Sequence, residues 1–146
     1  MDTKYNTILQ IELEPEGKYP CISYGIDNIE STVELKEKII LTFDKNLAVG
    51  EHKFILDFKN KTNDTPDYAV KINAVIAEGI STDRLKWQGK YYPIYPEPWA
   101  SQQLHKLETV INCATYLGWN GRWELPFSVP IFTWIHKVEN LGWIYD

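Results

Sequence analysis

Apolar side chains recur at every second position along much of this chain, and that period suits only one kind of backbone. Leu9, Ile11 and Leu13 alternate with Gln10, Glu12 and Glu14, and Phe54, Leu56 and Phe58 keep the same spacing. Successive side chains of an extended strand point to opposite faces, so this alternation buries one face and wets the other. The first run is expected to stop at Pro15-Glu16-Gly17 and a second, over residues 20–25, at Asp27-Asn28. Residues 33–43 read as two strands with a tight turn near Lys36-Glu37-Lys38, and Asp44-Lys45-Asn46 and Val49-Gly50-Glu51 read as turns. Residues 52–59 and 68–78 are clear strands, the latter with Val70, Ile72, Ala74 and Ile76 expected on one face. Between them, residues 60–67 form a polar loop.

Residues 84–87 predict a short strand, and residues 115–119, 122–127 and 131–138 three more. Asn120-Gly121 supplies the positive φ values of a type I′ hairpin turn. The sole helix candidate is 102–112, from the spacing of Leu104, Leu107 and Ile111, although its Thr109-Val110-Ile111 end could equally begin a strand. The expected architecture is all-β: an antiparallel β-sandwich, jelly-roll-like, with at most one short helix, residues 1–146 forming one domain. Both chain ends are expected to be strands or to be held by neighbouring subunits.

A net charge of −5 argues against a nucleic-acid binder, which needs a basic face for phosphates, and against binding to an anionic membrane surface. No apolar run is long enough to span a bilayer, and the N-terminal residues lack a signal-peptide layout, so synthesis in a reducing cytosol is expected. Cys21 and Cys113 read as buried small hydrophobes. Phosphate-binding, nucleophile-elbow and zinc-protease motifs are absent from the sequence, and His52, His105 and His136 form no metal-ligand spacing. No enzyme is expected.

All six tryptophans, at 87, 99, 119, 123, 134 and 143, fall in the C-terminal half. The aromatic residues are densest from Trp87 to Trp99, where prolines 93, 96 and 98 separate them. Proline fixes φ and stiffens its predecessor, so an extended loop holding ring faces in place is expected. Trp87, Tyr91, Tyr92, Tyr95, Glu97 and Trp99 are the candidate binding residues, with Gln88, Gln102 and Gln103 close by in sequence. Such a set can lid a core, anchor a protein interface, or stack on a sugar ring while amides and Glu97 bond its hydroxyls. Trp119, Trp123, Trp134 and Trp143 read as core residues. No catalytic residue and no cofactor is expected. Asn60, Asn63, Asp64 and Asp67 could offer oxygens to calcium, or simply cap their own turn.

The run from Gly50 to Asn60, followed by that from Asp67 to Gly79, resembles the middle of calcium-dependent xylan-binding carbohydrate-binding modules, with Asp67, Val70, Ile72, Val75 and Gly79 on matching positions. Lys61 stands where that pattern has an aspartate, Tyr68 and Ala69 replace Arg-Asn, and Asn73 replaces another aspartate. The resemblance therefore implies a sandwich more than a calcium site. The segment from Trp87 to Trp99 and the tail from Trp134 to Trp143 are similar to modules of tailed-phage structural proteins, especially of marine and cyanobacterial phages. That resemblance implies a non-catalytic accessory virion component (head decoration, tail or fibre), in contact with other virion proteins and with copies of itself. Its expected location is the virion, after synthesis in a host cytoplasm. The alternative expectation is a carbohydrate-binding module for a cell-surface or plant polysaccharide.

Overall fold

The computed structural model describes residues 3–139, so Trp143 and the extreme ends lie outside the described residues. Among the described residues, eleven strands form two antiparallel sheets, in agreement with the alternating pattern. The first sheet holds β1 (Lys4–Glu16), β4 (Ile39–Ala48), β6 (Ala69–Ala77), β7 (Ile80–Ser81) and β10 (Tyr116–Leu117). Its order is β10-β6-β1-β4, with β7 beside β6. The second holds β2 (Cys21–Ile26), β3 (Ser31–Glu34), β5 (Gly50–Phe58), β8 (Lys90–Pro93), β9 (Ile111–Asn112) and β11 (Gly121–Val129) in the order β3-β2-β5-β11-β8-β9. Among the described residues one α-helix exceeds a single turn: α2, Ile131–Val138; α1, Asp83–Lys86, is one turn.

Between the sheets lie Leu9, Ile11, Leu13, Val70, Ile72 and Val75 from one side and Phe54, Leu56, Phe58, Trp123 and Leu125 from the other, all essentially inaccessible. Edge-to-face ring contacts cross this core, from Tyr24 to Phe43 at 6.1 Å, Phe43 to Phe54 at 5.6 Å and Phe54 to Trp123 at 5.9 Å. Trp123 is fully buried, and its indole N–H donates to the Ala114 carbonyl at 2.8 Å.

Several expectations fail for physical reasons. Pro15 does not end β1: it pairs with Val70, beyond the last β4 partner at Leu13, so the missing N–H faces an open side. Asp44, Lys45 and Asn46 continue β4 rather than turn, because β1 is long enough to pair them with Ile8, Thr7 and Asn6, and β4 is a sheet edge where polar residues suit. In β6 the register slips at Asn73, since Glu12 pairs with Ala74 while Leu13 pairs with Ile72. This bulge shifts the inward set to Val70, Ile72, Val75 and Ala77, leaving Ala74 and Ile76 less buried.

Residues 84–87 are not a strand: they form most of α1 and its cap, with only Leu85 turned into the core. Residues 131–138 are the helix α2, burying Ile131, Trp134 and Ile135 at helical spacing, with Trp134 6.2 Å from Phe127. The expected helix at 102–112 is absent. The segment has a 3-10 turn at Ala100–Gln102 and then β9, and Leu104 is 98% exposed, so no apolar face exists to hold a helix down. Cys21 is half-buried and Cys113 exposed with φ +56°, so neither is the buried hydrophobe expected. Asn120-Gly121 is not a hairpin turn, because β10 and β11 belong to different sheets and the chain crosses between them there.

Candidate functional site

Gly121 sits abreast of both Phe58 and Pro93 in the second sheet. Three neighbouring strands therefore reach their ends at one level, and the chain beyond each runs off the same edge of the sandwich. These segments are the loop after β5, which contains residues 60–67, the loop after β8, and the crossing residues 118–120. Only glycine fits at 121: φ is +149°, and a Cβ there would overlap the backbone of Tyr92.

The three segments are fastened to one another. The Asn120 Oδ1 accepts from the Lys61 backbone N–H at 2.8 Å, and its Nδ2 donates to the Lys61 carbonyl at 2.8 Å. The Lys61 ammonium donates to the Gly118 carbonyl at 2.6 Å. The Ile94 N–H donates to the Asn120 carbonyl at 2.7 Å. Tyr91, buried on β8, accepts from the Trp119 N–H at 2.9 Å and donates to the Trp119 carbonyl; burial pushes its hydroxyl far above the usual range.

Between the fastened loops lies a cleft of about 240 Å³ lined by Lys61, Thr62, Asn63, Pro66, Ile94, Pro96, Trp99, Trp119 and Asn120. Its aromatic wall is a cluster. The Trp99 and Trp119 rings lie 4.8 Å apart at 36°, and Tyr95 packs against both at 6.1 and 6.0 Å. Tyr95 is held by donating to the Glu108 carbonyl at 2.7 Å. The Lys61 ammonium lies 5.0 Å from the centre of the Trp119 ring, a cation–π distance. Burial lowers its pKa below the ordinary lysine value, against the opposing pull of Asp67 and Glu16. A second, shallower depression of about 580 Å³ shares Ile94 and Asn120 with the cleft and runs past Tyr92, Arg122 and Asp57. There Arg122 grips Asp57 with two bonds, 2.8 and 3.1 Å.

The six candidate residues are thus dispersed. Trp99 lines the cleft, Tyr95 supports it from behind, and Tyr92 faces the adjoining depression. Tyr91 points inward, because Tyr91 and Tyr92 are consecutive in a strand and must face opposite ways. Trp87 caps α1 beneath the Lys86 ammonium and lines neither depression. Glu97 is exposed and accepts from the Ser101 hydroxyl. Gln88 and Gln103 are bonded to the local backbone carbonyls of Arg84 and Trp99. Trp119, read from sequence as core, is half-buried and forms one wall of the cleft, and Lys61 and Asn120 were not candidates at all.

Among the calcium candidates, Asn60 is a structural clamp. Its Oδ1 accepts from the Cys21 N–H at 2.7 Å and its Nδ2 donates to the Tyr19 carbonyl at 3.0 Å. Asp64 and Asp67 line a separate shallow surface with Gly17, Lys18, Thr65 and Tyr68. Among the described residues there is no group of three or more His, Cys, Asp or Glu that could hold a metal. With both Asn60 amide atoms bonded to backbone, the side chains of Asp64 and Asp67 by themselves supply fewer than the about six to eight oxygen ligands that calcium takes.

No family model and no curated protein matches the chain. Two solved structures do. One is the module vCBM60 in complex with galactobiose, with a TM-score of 0.52 and 12% identity, covering 81% of this chain and 96% of that one. The other is a selenomethionine form of vCBM60, from work describing a circular permutation that links two families of calcium-dependent carbohydrate-binding modules. Its TM-score is 0.52 at 11% identity, over 82% of this chain and 89% of that one. At such identity the likeness is one of fold.

Proposed function

We propose that the protein binds a saccharide chain in the cleft between Trp99, Trp119 and Lys61, and acts by binding rather than by catalysis. The observation that carries this reading is the pairing of two indole faces with an ammonium, an amide-bearing loop and an exposed Ile94 at one end of the sandwich. Flat rings suit the apolar face of a pyranose, while ammonium and amide groups suit its hydroxyls. A volume of 240 Å³ is below the range of about 300–1,000 Å³ usual for pockets that enclose a drug-sized ligand. The cleft would therefore grip one or two rings of a longer chain, and the adjoining depression past Tyr92 offers the next rings a path. The fold likeness to modules that bind carbohydrate supports the reading. A structural role in a phage particle draws no comparable support from the fold or from its neighbours.

The test is affinity electrophoresis and calorimetry against galactan, xylan, mannan, cellulose and polygalacturonate. Retention by at least one polymer is expected, with Trp99→Ala weakening it about tenfold or more, as loss of an aromatic anchor does. Retention by none of them, combined with a defined oligomer that buries Trp99, would instead make these rings an interface between copies of the chain.

A further inference from the structure

One of the two vCBM60 structures is described in terms of calcium-dependent carbohydrate-binding modules, yet the lining of this cleft holds a lysine and no carboxylate. Three side chains of the loop are committed to local structure. Thr65 Oγ1 accepts from the Thr62 N–H at 2.7 Å, Thr62 Oγ1 accepts from the Asp64 N–H at 3.2 Å, and both amide atoms of Asn60 are used. The two carboxylates of the loop, Asp64 and Asp67, line a different surface from the aromatic cleft.

What the cleft does contain is a positive charge already in place. Lys61 is positioned at its backbone by the two Asn120 bonds and at its tip by the Gly118 carbonyl and the Trp119 ring. None of the ion pairs among the described residues includes Lys61. An ammonium has three N–H donors and no acceptor, and Gly118 takes one, so two remain for oxygens of a ligand. A charge held on an indole face and partly removed from water bonds such oxygens more strongly than a solvated one. A calcium ion in the same cleft would have to sit beside this like charge.

We infer that Lys61 is the cation of this site, so that the cleft engages sugar hydroxyl or carboxylate oxygens without calcium. The inference rests on the saccharide reading, and its test separates the two. Calcium is first titrated into the intact protein by calorimetry, alongside a thermal melt in calcium and in chelator; no binding heat and an unchanged melting temperature are expected. The polymer that retains the protein is then assayed in the same two buffers. Affinity within about twofold in both is expected, together with a loss of about tenfold or more in Lys61→Met and retention within a few-fold in Lys61→Arg. Lys61→Met keeps the apolar stem against Trp119, and its melt shows whether the fold is intact. Stoichiometric calcium binding that raises the melting temperature would overturn the inference. So would glycan binding abolished by chelator, or a folded Lys61→Met that binds as well as the parent; each of these would leave the saccharide reading standing. If no polymer binds in either buffer, the saccharide reading itself fails, and the proposed role of Lys61 fails with it.

Discussion

Replacing Asn120 by alanine removes the side chain whose amide ties the crossing between sheets to the backbone of the loop of residues 60–67. Two hydrogen bonds of 2.8 Å are lost, one from the Lys61 N–H and one to the Lys61 carbonyl. A net contribution of roughly 1 kcal/mol per bond, with partial access of water to the exposed peptide, puts the cost at about 1–3 kcal/mol. For a chain of this size that is roughly 3–9 °C in melting temperature. Asn120→Asp is the sharper variant. It keeps an acceptor for the Lys61 N–H but sets a carboxylate oxygen against the Lys61 carbonyl where the amide donated. At pH 7 it should be at least as destabilised as the alanine variant, and it should recover part of the loss once acid protonates the new carboxyl and restores a donor. Urea unfolding at pH 7 and pH 4, with m-values checked for constancy, reads both effects. An Asn120→Asp protein as stable as the parent at pH 7 would refute the claim that both amide atoms hold the loop.

Two further outcomes follow from packing and charge. Gly89 is buried and any Cβ there would overlap the Trp123 indole, so Gly89→Ala should cost about 1–3 kcal/mol in urea unfolding. A cost near zero would mean that Trp123 is not fixed where the core requires it. The His52 ring is flanked by acceptors on both nitrogens, Asp27 at 2.6 Å and the Ala48 carbonyl at 2.7 Å. Burial works against its protonation, but the Ala48 and Asp27 bonds outweigh it and raise its pKa. The resulting stability is fully present below the unfolded value near about 6.5 and is lost as pH rises through the higher folded value. Because Asp27 is exposed, the effect should stay below about 1 kcal/mol, and His52→Gln should remove that part of the decline above pH 6.5. Equal pH slopes in the two proteins would contradict this.

The sandwich was legible because alternation is a local signal: Leu9, Ile11 and Leu13 need no partner strand to declare a buried face. The bulge at Asn73 was not, since a register slip is set by the neighbouring strand, and it reversed the faces of Ala74 and Ile76. The helix α2 could have been found. Ile131, Trp134, Ile135 and Val138 fall at i, i+3, i+4 and i+7, and that spacing outweighs the β-favouring composition that suggested a strand. The cleft itself was half visible. Trp99 stood out in its proline-rich segment, but its partner Trp119 and the Lys61 ammonium come from loops distant in sequence. Their meeting depends on Asn120 marking a crossing between sheets, whereas Asn-Gly read alone specifies a hairpin.

Indole N–H resonances give the most direct test of the saccharide cleft. In a proton–nitrogen correlation spectrum, each tryptophan reports its own site while a retained oligosaccharide is titrated in. The signals of Trp99 and Trp119 should move together with a single affinity, while buried Trp123 and Trp134 and the distant Trp87 stay in place. Stationary Trp99 and Trp119 signals, with binding observed elsewhere or not at all, would contradict the account.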